Sequence, residues 1–315
     1  MASPKTLRAG KQMMTILPND QSIDTDEELG PEAEQDQTVG AKQGIHRIVV
    51  ALDASSGSRA ALATAVSLAE TLKAELLGLF VEDINLLRLS ELPFAREVLF
   101  AESRLRQLES EELLRRLRAR AAILRQEVQE LAAEHKITST FRVIRGPVDK
   151  ELLSAALESD LLALGRLGHT IAHRARLGST ARAVIDRATS AVLLVRSEAT
   201  TGPIIALYDG SEVGRRVLDL AVSLSAQDGD LRVLVWAEEE AEAFDRRQLA
   251  AHFLEPHAAR IQYQHLSGEN PERVLQWINR QKAVLLLLGA GETKLPPSIF
   301  RTLLDEAEQN ILIIR

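Results

Sequence analysis

Residues 161–180 read LLALGRLGHTIAHRARLGST. An apolar run closes at Gly165, and Gly178-Ser179-Thr180 opens a helix-like segment, STARAVIDRA. Between Gly168 and Gly178 lie His169, His173, Arg174 and Arg176. The order is buried strand, glycine-containing loop, helix. Glycine lets the backbone approach a ligand closely and adopt positive φ, so successive N–H groups can converge on one oxygen. A helix that starts at Ser179 offers free N–H groups and the positive end of its dipole to an anion. The hydroxyls of Ser179 and Thr180 can donate to a phosphate or cap the helix. Arg166, Arg174 and Arg176 add positive charge. The spacing suits a triphosphate wrapped by backbone; the alternative is a loop whose glycines only permit turns.

The chain around this loop alternates strands and helices. HRIVVALD (46–53) is a short β-rich run ending in Asp53, and Leu62, Ala65, Val66, Ala69 and Leu72 share one face of the helix after it. AELLGLFVED (74–83) reads as a buried strand, followed by a long Arg- and Glu-rich helix over about 96–134. STFRVIRG is the next strand, Pro147 opens a helix at its first turn, and AVLLVR closes the set. Such alternation predicts a parallel sheet covered on both faces. Runs like AVLLV, without polar alternation, fit strands buried on both sides.

The pattern then repeats. DASSGSRAALATAVSLA from Asp53 lies over DGSEVGRRVLDLAVSLS from Asp209, with eight of seventeen positions identical. AVLLVR (191–196) lies over NILIIR (310–315), and Gly165 over Gly289. The second copy is shorter, mostly before its fourth strand, with five residues lost from the glycine loop. The chain is therefore read as a polar, acidic, disordered tail over 1–44, a domain over 45–198, a linker at 199–202 and a degenerate second copy over 203–315.

These residues resemble the universal stress protein family, clearly over 45–198 and more weakly over 203–315. The nucleotide-binding branch of that family carries Gly-x2-Gly-x9-Gly-Ser/Thr after its fourth strand, which Gly165, Gly168, Gly178 and Ser179 match without a gap. Its first strand ends in an Asp-Gly-Ser turn. Here that turn is Asp53-Ala54-Ser55, with Ala in place of Gly, and Asp209-Gly210-Ser211 in the second copy. The resemblance implies an α/β fold of two tandem domains, each a five-stranded parallel sheet with helices on both faces. It places Asp53 beside Gly165 at the topological switch point, where open α/β sheets bind ligands. It further implies that Asp53 bonds a ribose or base and that Leu52, Val81 and Leu164 lie near an adenine. Asp53 can equally serve as a turn or cap residue, and both roles can hold at once.

The resulting expectation is ATP in the first half, with any Mg²⁺ held mainly by its phosphates. The cradle would comprise Leu52, Asp53, Val81, Leu164, Gly165, Gly168, Gly178, Ser179 and Thr180. In the second half GAGETKLPPSIFRTLL lacks a Gly-Ser pair at the helix start, Pro296 and Pro297 supply no N–H, and Glu292 would repel a phosphate. One nucleotide per chain is expected. The module is read as a nucleotide-responsive stress regulator or scaffold. The other readings are an ATP-hydrolysing or adenylyl-transferring enzyme on the same fold, and a nucleotide-free interaction protein. No Ser-His-Asp set and no acid–base carboxylate pair argues for catalysis. His169 and His173 could clamp a metal but have no third ligand nearby in sequence, so loop residues in water are the simpler reading.

Bulk properties agree with this reading. The formal net charge of -7 argues against a broadly basic nucleic-acid surface, and the absence of cysteine removes disulfides and thiolate zinc sites. No apolar run approaches a membrane span, and Lys5, Arg8 and Lys11 are followed by no secretory apolar region. A cytoplasmic location is expected. Leu114, Leu117, Ala121, Leu124, Val128 and Leu131 make a short heptad-like stripe, expected to pack on the helix's own sheet or, alternatively, on a partner helix. AVLLVR and NILIIR are apolar edge candidates. They are expected to pair within one chain as a pseudo-dimer, with a homodimer of chains also open.

Overall fold

The computed structural model describes residues 44–92, 96–99, 104–107, 109–165, 177–198, 201–225, 230–255, 261–268 and 270–315. All fall in the unit Gln43–Arg315. The expected acidic tail (apart from Gly44), part of the linker, Gly168, His169 and His173 lie outside the described residues.

The first half runs β1 (Arg47–Leu52), α1 (Ser56–Leu72), β2 (Glu75–Asp83), α2 (Ile84–Ser90), β3 (Arg96–Leu99), β4 (Arg104–Gln107), α3 (Ser110–Glu134), β5 (Ser139–Gly146), α4 (Val148–Leu157), β6 (Leu161–Gly165), α5 (Ser179–Arg187) and β7 (Ala191–Val195). The second half runs β8 (Ile204–Tyr208), α6 (Glu212–Ser225), β9 (Leu231–Ala237), α7 (Glu240–Phe253), β10 (Ile261–Ser267), α8 (Pro271–Arg280), β11 (Leu285–Gly289), α9 (Pro297–Glu306) and β12 (Asn310–Ile314).

Ten of these strands form one sheet in the order β10-β9-β8-β11-β12-β7-β6-β1-β2-β5. Each half contributes five parallel strands, and in each the first and fourth strands are neighbours: β1 beside β6 and β8 beside β11. At the centre β12 pairs antiparallel with β7, matching Ile311 to Leu194, Leu312 to Leu193 and Ile313 to Val192. The two apolar terminal strands thus cover each other's open edges, as their sequences predict. Asn310 pins the join. Its Oδ1 accepts from the backbone N–H groups of Arg196 (2.8 Å) and Ser197 (3.1 Å), and its Nδ2 donates to the Ser197 carbonyl (3.1 Å). Arg182 of α5 adds a 3.0 Å ion pair to Asp305 of α9.

Side chains alternate along each strand, so the sheet feeds two cores. One holds Ile48, Val50, Leu161, Ala163, Leu193 and Leu312 beneath α1, α3, α6 and α7. The other holds Val49, Leu162, Leu164, Val192, Leu194 and Ile313 beneath α4, α5, α8 and α9. Ile48, Val49 and Val50 are all fully buried, which is why β1 reads as an unbroken apolar run.

The long helix differs from expectation at its start. It begins at Ser110, and 96–107 supply the hairpin β3–β4, with Arg96 opposite Gln107 and Leu99 opposite Arg104. The Arg and Glu content favours helix, but propensity is a weak prior that strand pairing overrides. The buried stripe of α3 is Leu113, Leu117, Ala121, Leu124, Val128 and Ala132, with Leu114 and Leu131 half-buried at its margin. This face packs on β2, β5 and α1, its own half of the molecule. Pro147 stands one position earlier than expected, as the N-cap of α4 rather than in its first turn.

Candidate functional site

Parallel strands end together. The register of β1 on β6, Val50 opposite Ala163, brings Ala51-Leu52 alongside Leu164-Gly165, with Asp53 just beyond, at the carboxyl edge of the first half. A cleft of about 390 Å³ opens there. It is lined by Leu52, Asp53, Val81, Leu164, Gly165, Gly178, Ser179 and Thr180. The structure therefore gathers eight of the nine residues singled out from the sequence; the ninth, Gly168, lies outside the described residues.

The local geometry follows from small side chains. A Cβ on Gly165 would stand 2.7 Å from the carbonyl carbon of Gly57 and 3.0 Å from the Ser58 nitrogen, so the first turn of α1 can abut the end of β6 because position 165 is glycine. Asp53 Oδ1 accepts from the Ser55 N–H at 2.9 Å. Ser55 Oγ in turn accepts from the Ser58 N–H at 3.1 Å as the N-cap of α1. The turn between them holds Ala54 at φ 63°, a left-handed conformation that costs an L-residue about 1–2 kcal/mol.

Across the cleft, α5 starts at Ser179 with Gly178 as N-cap, and glycine has no side chain with which to cap it. The start of α5, from Gly178 to Ala181, borders the cleft, so its free N–H groups and dipole are available to an anion. Leu79, Val81, Leu152 and Leu164 give the cleft apolar walls. The cleft thus combines walls that suit an apolar ring with a helix start that suits an anionic group. The sequence pointed to Ser55 only as part of the turn after β1, to Leu117 only as a packing residue and to Arg120 only as a surface charge, and it did not single out Ser58, Asp83, Leu86, Val148 or Leu152; all of these also line the cleft. They come from elements that converge only in three dimensions.

The corresponding place in the second half is filled by the protein itself. Asp209 is buried, and its carboxylate takes four hydrogen bonds. Oδ1 accepts from the Ser211 N–H (3.0 Å) and hydroxyl (2.5 Å), and Oδ2 from the Thr293 hydroxyl (2.5 Å) and the Lys294 N–H (2.6 Å). Burial pushes the Asp209 carboxyl up, but the bonds from Ser211, Thr293 and Lys294 outweigh it and hold the group below its ordinary value. Arg246 of α7 presses on the same turn. Its Nε lies 2.8 Å from where a Gly210 Cβ would stand, its Nη1 donates to the Trp236 carbonyl at 2.8 Å, and its Nη2 pairs with Glu242. Gly210, at φ 74°, is the residue that fits there.

Residues 44–196 match the model of the universal stress protein family. Among solved structures, a universal stress protein from Archaeoglobus fulgidus DSM 4304 aligns over 85% of this chain and 98% of its own, with a TM-score of 0.67 and 14% identity. Two half-length structures also match: UspA from Lactobacillus plantarum, at 26% identity and a TM-score of 0.37 over 49% of this chain and 99% of its own, and a universal stress protein in complex with cAMP, at 24% identity and a TM-score of 0.35 over the same shares. At 14% identity the full-length likeness establishes the fold alone. No curated protein matches the sequence. No helix among the described residues is long and apolar enough to cross a membrane.

Proposed function

With residues 44–196 belonging to the universal stress protein family, we propose that the chain binds one adenine nucleotide, ATP, in the cleft of its first half. In this reading it acts as a nucleotide-responsive stress regulator or scaffold. The observation that carries the proposal is the convergence of Asp53, Gly165 and the glycine-capped start of α5 on one cleft at the β1/β6 switch point. Asp53 faces the sugar, the start of α5 with Ser179 and Thr180 faces the phosphates, and Leu52, Val81 and Leu164 flank the adenine. Mg²⁺ would enter with the phosphates.

The second half is the internal control. Its equivalent aspartate also accepts from Thr293 and Lys294 of the loop after β11, so a nucleotide reaching that oxygen would have to displace two protein hydrogen bonds. The test is calorimetric titration of the intact chain with ATP, AMP and adenosine, beside mass spectrometry of any nucleotide released by heat. One saturating ATP site per chain is expected. No saturable binding of any adenine nucleotide would overturn the proposal, and two sites would show that the second half opens.

A further inference from the structure

The crossover from the second to the third sheet strand of the first half contains α3, and α3 brings one cation to the cleft. Arg120 lines it, three residues after the buried Leu117, which lines it too. Two other arginines of the helix are engaged elsewhere. Arg116 pairs with Glu112 at 2.8 Å, and the Arg125 guanidinium lies 5.4 Å from the centre of the Phe141 ring. Arg120 makes no hydrogen bond or ion pair among the described residues. A guanidinium offers five donors and no acceptor, and it prefers a planar or multiply oxygenated anion.

Two further observations say what that anion is. The helices α1 and α3 cover one face of the sheet, and α4 and α5 cover the other. The cleft is bordered from both sides, with Arg120 on the first and the start of α5 on the second. An anion in its mouth would be gripped between a guanidinium and a helix N-terminus. In the second half α7 occupies the same crossover, between β9 and β10, and it also sends an arginine to the first-strand turn. That arginine, Arg246, is buried on protein groups, namely the Trp236 carbonyl and Glu242. A helix in this place can therefore deliver a guanidinium to the Asp-containing turn. In the first half no protein group among those described takes it up.

We infer that Arg120 is a specificity residue for the phosphate chain of the nucleotide, reaching it from the side opposite α5. The inference rests on the proposed nucleotide site. It assigns α3 a part in ligand choice: a nucleotide gains affinity from Arg120 in proportion to its phosphate charge, and adenosine gains none.

The test is titration of the intact chain and of Arg120→Gln and Arg115→Gln with ATP and with adenosine. Arg115 is an exposed arginine of the same helix that does not line the cleft. Arg120→Gln should weaken ATP at least tenfold, leave adenosine within twofold and flatten the salt dependence of ATP binding. Arg115→Gln should change neither, and Arg120→Lys should recover part of the loss. An unchanged ATP affinity in Arg120→Gln would overturn the inference while leaving the nucleotide site standing. Equal weakening of ATP and adenosine would also overturn it, making Arg120 a wall of the cleft rather than a phosphate contact. A wild-type chain that binds neither ligand removes the site and the inference together.

Discussion

Thr293 and Asp209 stand 84 residues apart in the chain and 2.5 Å apart in space, hydroxyl to carboxylate. The contact ties the loop after β11 to the end of β8. Asp209→Asn removes one of the two oxygens that together accept four bonds. The substitution should cost about 3 kcal/mol of stability, read as a lower urea midpoint at neutral pH, with ATP affinity in the first half unchanged. A midpoint equal to wild type would show the contact to be idle.

The same carboxylate sets an acid limit. Its folded-state pKa is lowered, so its contribution is complete above the ordinary Asp value of about 3.9. That contribution is lost as the pH falls through the lowered value. Stability should therefore fall on acidification below about pH 4 more steeply in wild type than in Asp209→Asn. Urea titrations across that range in both proteins check it.

Gly165→Ala places a methyl group 2.7 Å from the backbone of Gly57. Backbone cannot rotate away as a side chain can, so β6 and the start of α1 must separate, at a cost of about 1–3 kcal/mol. The separation shifts both Asp53 and the glycine loop, so ATP binding should weaken with stability. Thermal melting and titration of one preparation read both effects.

Ala54→Gly should stabilise the chain by about 0.5–1 kcal/mol, because the turn already demands φ 63°. The second half meets the same demand with Gly210. The measurement is the shift in denaturation midpoint, and a loss of stability would mean that the Ala54 methyl contributes more through packing than its backbone costs.

Asn310→Ala leaves two N–H donors and one carbonyl of residues 196–197 without their partner. A loss of about 2–3 kcal/mol is expected. Hydrogen exchange at Arg196 and Ser197 should accelerate before exchange elsewhere in the sheet.

The strands were legible because burial on both faces leaves unbroken apolar runs, as in Ile48–Val50 and Leu161–Leu164. The cleft was legible in part, since glycine spacing and the strand-terminal aspartate are local signals. What stayed hidden is non-local. Nothing near Asp209 in sequence announces Thr293 or Lys294, and Arg246 reads as one charge among many on an acidic helix. The hairpin β3–β4 was hidden for a different reason: its charged residues carry helix propensity, and only pairing between the two segments decides against it. Arg120 is one of many charges on an Arg- and Glu-rich helix, which differ only in what each side chain meets.

The antiparallel join of β7 and β12 has a geometric consequence. Strands of the two halves point in opposite directions, so the edge that carries Asp53 and the edge that carries Asp209 lie on opposite rims of one sheet. A protein that senses whether the cleft is occupied must approach one rim. A molecule at the Asp209 turn would approach the opposite rim, so it would not stand in the way of one at the Asp53 cleft.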